Sequence, residues 1–181
     1  LKYCFEQCFD KRSTLSGAKD YATLWFTPIM GDGSEMRKAD LLDEIRAEIG
    51  VVSDRLGGSI ERLYRFVPQV LYEKVSAYRY VGVYLTSGYQ FTEFYGAGCY
   101  SLMTVVPFGC GLHSVAAARG GVVREQTGDQ VEVYVPFYRG HHLIGELVVV
   151  GTPVRSVDEE DIALFCEIAS LLETKVEECN S

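Results

Sequence analysis

Cys110 and His113 stand three residues apart in "VVPFGCGLHSVAAARGG" (105–121), where a strand-like run ends at Pro107 and a small-residue helix begins. A thiol at a helix mouth meets backbone N–H groups that favour an anion, which makes Cys110 a candidate reactive thiolate. Cys99, in the loop "GAGCY", is a candidate second thiol if the two loops meet over a sheet. The same three residues could be read as metal ligands, but they contain no tightly spaced pair, and no metal is expected. Against chemistry stands the plainer reading of Cys110 as a small turn hydrophobe and of His113 as a pocket-lining hydrogen-bonding group. The stretch is therefore a catalytic cysteine, a metal site, or the lip of a ligand pocket.

Tyr84, Phe91, Phe94, Tyr95, Tyr100, Phe108, Tyr134 and Tyr138 fall on the strands and loops around this stretch. Tyrosines offer flat apolar walls with a hydroxyl that can orient a ligand, although sheet packing explains each aromatic taken alone. The candidate binding set is Tyr84, Phe94, Tyr95, Cys99, Phe108, Cys110, His113 and Tyr134. Arg119, at a helix end, and His141 and His142, in a turn, read as solvated.

These residues need elements to carry them. Leu42, Ile45, Ile49, Val52 and Leu56 draw an apolar seam along a helix, fit either for a dimer arm or for the chain's own sheet. Gly57-Gly58 interrupts it, and Ser59 can cap a second helix in which Pro68 should cause a kink or a restart. "YRYVGVYLTSGYQFTEFYGAG" reads as a hairpin around Ser87-Gly88, and "SLMTVV" as a third strand. After the short helix, "REQTGDQ" reads as a connection. In "VEVYVPFYRG", Val131, Val133 and Val135 face one way, Glu132 and Tyr134 the other. "LIGELVVVG" is its hairpin partner, and "SVDE" a capping box from Ser156 to Glu159 that opens the last helix. Helices and mostly antiparallel strands in this order predict an α+β fold, with terminal helices on one sheet face and a loop and short-helix roof over the other.

The chain has 181 residues, 48% hydrophobic and 23% charged, which suits one globular domain with an appendage. A formal net charge of −8 and the lack of a basic run argue against a nucleic-acid partner. The six cysteines include no CxxC pair, and no apolar run reaches membrane-spanning length, so free thiols in a cytoplasmic protein are expected. Cys166 sits on an apolar helical pattern and reads as core. Cys4 and Cys8 share a face if the start of the chain is helical. Met36 opens an amphipathic helix after a polar linker, so residues 1–35 read as a leader, fusion-derived or the tail of another module.

Across 36–178 the motifs "YVGVYL", "PFGCGLHSVAAARGG", "VYVPFYRGHHLIGELVVVG" and "DEEDIALFCEIASLL" resemble the GAF domain family, small ligand-sensing domains related to PAS. The resemblance implies a GAF-like domain over 36–181, with a central antiparallel sheet. Within that family, PFG-x-GL before a small-residue helix is similar to the free methionine-(R)-sulfoxide reductases, cytosolic enzymes with thiol chemistry in the pocket. In those enzymes a thiolate attacks the sulfoxide and a second thiol resolves the sulfenic acid. This chain departs from their cysteine pattern. His113 or Ser114 stands at the helix cysteine, Cys99 lies further upstream than the family spacing, and the short connection after Val123 has no thiol. The expected function is a small-molecule-binding sensory domain without a cofactor, dimeric through its helices. The alternative is a divergent thiol reductase using Cys99 and Cys110.

Overall fold

The computed structural model describes residues 37–55, 59–100 and 102–179. Readings that fall on 1–36, on Leu56 and on the 57–58 glycine pair lie outside the described residues. Leu42, Ile45 and Ile49 recur at helical spacing on α1 (Lys38–Asp54) and are buried in the chain's own core. These three residues of the seam are thus used inside the domain. α2 (Ile60–Lys74) follows and runs unbroken through Pro68, which is buried within it. The expected restart at Pro68 does not occur.

Six strands then form one antiparallel sheet: β1 (Tyr78–Ser87), β2 (Gln90–Gly98), β3 (Val105–Pro107), β4 (Val123–Thr127), β5 (Gln130–Arg139) and β6 (His142–Gly151). Their order is β3-β2-β1-β6-β5-β4. The stretch read as a connection after Val123 is in fact β4, paired with β5 from Val123↔Tyr134 to Thr127↔Gln130. Its residues 124–127 are exposed, so this edge strand shows no apolar alternation by which to recognise it. The third strand is only three residues long. The first hairpin turns at Gly88 and Tyr89, both at positive φ, one residue later than the sequence suggested.

Strand alternation sorts the sheet into two faces. Val81, Val83, Val133, Val135, Leu147 and Val149 meet α1, α2 and the last helix, α4 (Glu159–Cys179). Tyr80, Tyr84, Phe91, Tyr134, Val148 and Val150 face the opposite way, under the nine-residue α3 (Gly111–Arg119). The α+β architecture with helices on one face and a short-helix roof on the other is the one expected. Cys166 is half-buried against the helical core.

The start of α4 differs in detail. Asp158, not Ser156, is the capping residue: its Oδ1 accepts the Glu160 amide at 3.0 Å, and Asp161 Oδ2 accepts the Asp158 amide at 2.7 Å. The reciprocal box lies two residues beyond the one read from "SVDE". Among the described residues, no helix is long and apolar enough to cross a membrane.

Candidate functional site

Three rows of paired residues build the floor of the roofed face. Glu93, Tyr84, Glu146 and Pro136 stand side by side across β2, β1, β6 and β5. Gly96, Gly82, Val148 and Tyr134 form the next row, and Gly98, Tyr80, Val150 and Glu132 the third. Three carboxylates and three tyrosines thus share one face of the sheet.

Their hydroxyls and carboxylates are joined. Tyr134 donates to Glu132 Oε2 at 2.7 Å, and Tyr100, from the loop after β2, donates to Glu132 Oε1 at 2.9 Å. Tyr80 donates to the Tyr84 oxygen at 3.2 Å, and Tyr84 reaches Glu93 at 3.4 Å. Burial, with the neighbouring carboxylates, pushes all four hydroxyls above their ordinary range, Tyr84 and Tyr100 to about 12. They are therefore neutral hydrogen-bond donors at physiological pH. No Lys or Arg forms an ion pair with Glu93, Glu132 or Glu146 among the described residues.

His113 comes down from α3 into this floor. Its ring centroid lies 4.6 Å from that of Tyr84, 4.8 Å from Tyr134 and 5.2 Å from Phe91. Its Nδ1 is 2.8 Å from Oε2 of Glu146, which is fully buried, while Oε1 of Glu146 has no hydrogen-bond partner. Burial pushes the Glu146 carboxyl up, to about 9, and the His113 imidazole down, to about 4. Both shifts favour the uncharged pair, in which the Glu146 carboxyl donates to Nδ1.

The candidate residues divide clearly. Tyr84, Tyr134 and His113 meet at this site. Phe108, exposed, meets the ring of Phe91 in a tilted contact at 4.8 Å and lines a cleft of about 290 Å³ beside Gly109, Ser114, Ala117 and Leu143. Phe94 and Tyr95 do not join them and face α2. The ring of Phe94 meets Tyr64 and lies under Arg65, while Tyr95 donates to Gln69 at 2.7 Å. For Tyr95 the cause is a bulge: Val83 pairs with Tyr95 but Tyr84 pairs with Glu93, so one extra residue enters β2 and turns Tyr95 to the helical face.

Cys99 and Cys110 are exposed and outside any disulfide. Cys99 follows β2 at Gly98, whereas Cys110 follows β3 at Pro107, which pairs with Gln90 at the other end of β2. A nine-residue strand separates them, roughly 25 Å at the rise of a β-strand, while a disulfide requires Cα atoms within about 7 Å. The thiol pair of the alternative reading is not assembled. Cys110 is the N-cap of α3 without a side-chain cap bond. Ser114 holds the turn instead, accepting the Gly109 amide at 2.8 Å and donating to the Cys110 carbonyl at 3.0 Å. No group of three or more metal-ligating side chains occurs among the described residues.

Sequence reasoning missed the carboxylates. Glu146 left a signal, as the one acid inside the apolar run "LIGELVVVG". Glu132 left another, as the acid alternating with Tyr134.

No family model matches the chain, and no curated protein matches it by sequence. Solved structures do match its shape. The free methionine-R-sulfoxide reductase from Neisseria meningitidis, solved with its substrate, superposes with a TM-score of 0.69 at 24% identity, covering 79% of this chain and 92% of that one. The type II enzyme from Thermoplasma acidophilum gives 0.58 at 22% identity, over 77% and 96%. The GAF domain of a phosphoenolpyruvate-protein phosphotransferase from Coxiella burnetii gives 0.65 at 16% identity, over 79% and 96%. Two reductases and a GAF domain of a phosphotransferase share the architecture, so the likeness speaks for the fold alone. The chain has the GAF fold.

Proposed function

We propose that this chain is a small-molecule-binding regulatory domain whose site takes a compact organic cation. The observation that carries the reading is the pair of Glu93 and Glu132 on one sheet face, bonded by tyrosines beside the uncharged Glu146–His113 pair and lacking an ion-paired Lys or Arg among the described residues. An ammonium group would supply the missing positive charge, and the rings of Tyr80, Tyr84 and Tyr134 would attract it through their faces. Thiol chemistry is not part of this reading, because Cys99 and Cys110 sit at opposite ends of β2.

Native mass spectrometry of the gently purified protein tests for a carried-over ligand. Thermal melting with methylammonium, butylammonium and tetramethylammonium, against acetate and butanol as controls, tests the class. A rise in melting temperature with the amines, reduced in Glu132→Gln, is expected. Equal effects from the controls, or none from any amine, would sink the cationic reading.

A further inference from the structure

We propose that α3 is a lid over the tyrosine–carboxylate face, hinged at its flanking glycines and latched by the buried contact between His113 and Glu146. The hinges are Gly111 and Gly120, both at φ +64. An added Cβ at either would meet nothing within 4 Å, so these glycines serve the backbone conformation and not close packing. Between them lie eight residues, of which only His113 and Ala116 are buried. So little apolar burial holds this helix weakly, and the polar contact under it weighs correspondingly more.

The face below is closed. Tyr80, Tyr84 and Tyr134 are all buried, and the unpartnered Oε1 of Glu146 is out of reach of solvent. A ligand can reach that oxygen only if α3 moves. The cleft lined by Phe91, Phe108, Ser114, Ala117 and Leu143 marks where the helix already stands apart from the sheet edge.

The latch also sets the direction in which protons act. From β1 the pair faces Tyr84, with Glu93 behind it; from β5 it faces Tyr134 and Tyr138, with Glu132 behind Tyr134. Phe91 is its neighbour on β2 and cannot ionise. None of these groups is a cation. With the lid closed the pair keeps one proton, on Glu146, because burial raises that carboxyl and lowers His113. With the lid open both side chains are in water, and above about pH 6.5 neither holds a proton. Opening therefore releases one proton. The opening constant should rise up to about tenfold per pH unit between 7 and 9.

The lid regulates the site proposed above, but its test uses no ligand, so its failure and the failure of the cation reading are separate results. Amide hydrogen exchange of the full chain at pH 7, 8 and 9, corrected for intrinsic rates, reads the opening directly. Protection of residues 115–120 should fall up to about tenfold per pH unit, from a level well below that of the Val148 and Val149 amides of β6 and with little dependence on added denaturant, because β6 exchanges only on global unfolding. Glu146→Gln, which cannot ionise, should remove the slope. The lid is refuted by pH-independent protection, by α3 and β6 sharing one protection level and one denaturant dependence, or by an unchanged slope in the variant. Should the variant fail to fold, the comparison of α3 with β6 in the unmodified chain still decides.

Discussion

The side chain of Tyr80 folds back over Gly82, two residues further along β1, so closely that a methyl group at position 82 would overlap its phenol. Gly96 on β2 lies under the same ring. The pair of glycines is the slot into which the tyrosine fits, and the ring closes the floor of the site. Gly82→Ala should cost roughly 1–3 kcal/mol of stability in urea unfolding. Tyr80→Ala in the same background should recover part of the loss, a coupling that a double-mutant cycle measures. Simple addition of the two losses would show that ring and glycine do not interact.

His113 should shape the acid limb of the stability curve. Burial holds its proton affinity down, to about 4, below the ordinary histidine value. A group lowered in the folded state contributes stability that is complete above the unfolded value, about 6.5, and is lost as pH falls through the folded one. Between those limits unfolding takes up one proton at His113 and releases one from Glu146, so the pair adds no net slope. His113→Gln removes the uptake and leaves the release, so it should lower the slope of stability against pH by up to one proton in denaturant titrations at stepped pH, and an unchanged slope would place the uptake elsewhere.

Asp161 is fully buried and accepts from the Tyr78 hydroxyl at 2.6 Å, from the Asp158 amide at 2.7 Å and from Lys38 Nζ at 2.5 Å. It ties α1, β1 and α4 together. Asp161→Ala leaves the buried Tyr78 hydroxyl without its acceptor and should cost about 2–3 kcal/mol. Asp158→Ala removes the cap and a largely exposed ion pair with Lys38 Nζ at 2.7 Å, and should cost about 1 kcal/mol. Equal losses in thermal unfolding would contradict this ranking.

Mild oxidation should not join Cys99 to Cys110 within one chain. Peptide mapping after treatment with a thiol oxidant should show those two thiols separately modified or joined between chains. Cys110→Ser should melt at the same temperature as the unmodified protein, because Cys110 is exposed and makes no side-chain cap bond. An intramolecular Cys99–Cys110 link in good yield would require a different arrangement of the loops after β2 and β3.

The architecture was legible because it follows from periodicity. The valines of β5 and the heptad-like spacing of α1 carry their burial in plain view, and Gly120 at positive φ ends α3 where the small-residue run stops. The candidate site was legible only in part. His113, Tyr84 and Tyr134 were found by their place beside the turn. Phe94 lies on the helical face by plain alternation from Phe91 and Glu93, whereas Tyr95 joins it there because of a bulge, which leaves no mark in the residue types. Cys99 and Cys110 looked adjacent because strand pairing, not sequence distance, decides which loops share an end of the sheet. Glu146 escaped because a single acid in an apolar strand acquires meaning only once a partner is seen above it.

The two strands at the centre of the sheet come from distant parts of the chain. Tyr84 of β1 pairs with Glu146 of β6, while the hairpins β1–β2 and β5–β6 each close locally. Joining them encloses a loop of roughly sixty residues, whose closure entropy must be met before the central pairing gives anything back. Folding therefore follows the slow course of a high contact order: two hairpins form early, and the seam between them forms late. The carboxyl beneath His113 stands on that seam. In the nascent domain it has no pocket to be buried in until the two halves have met.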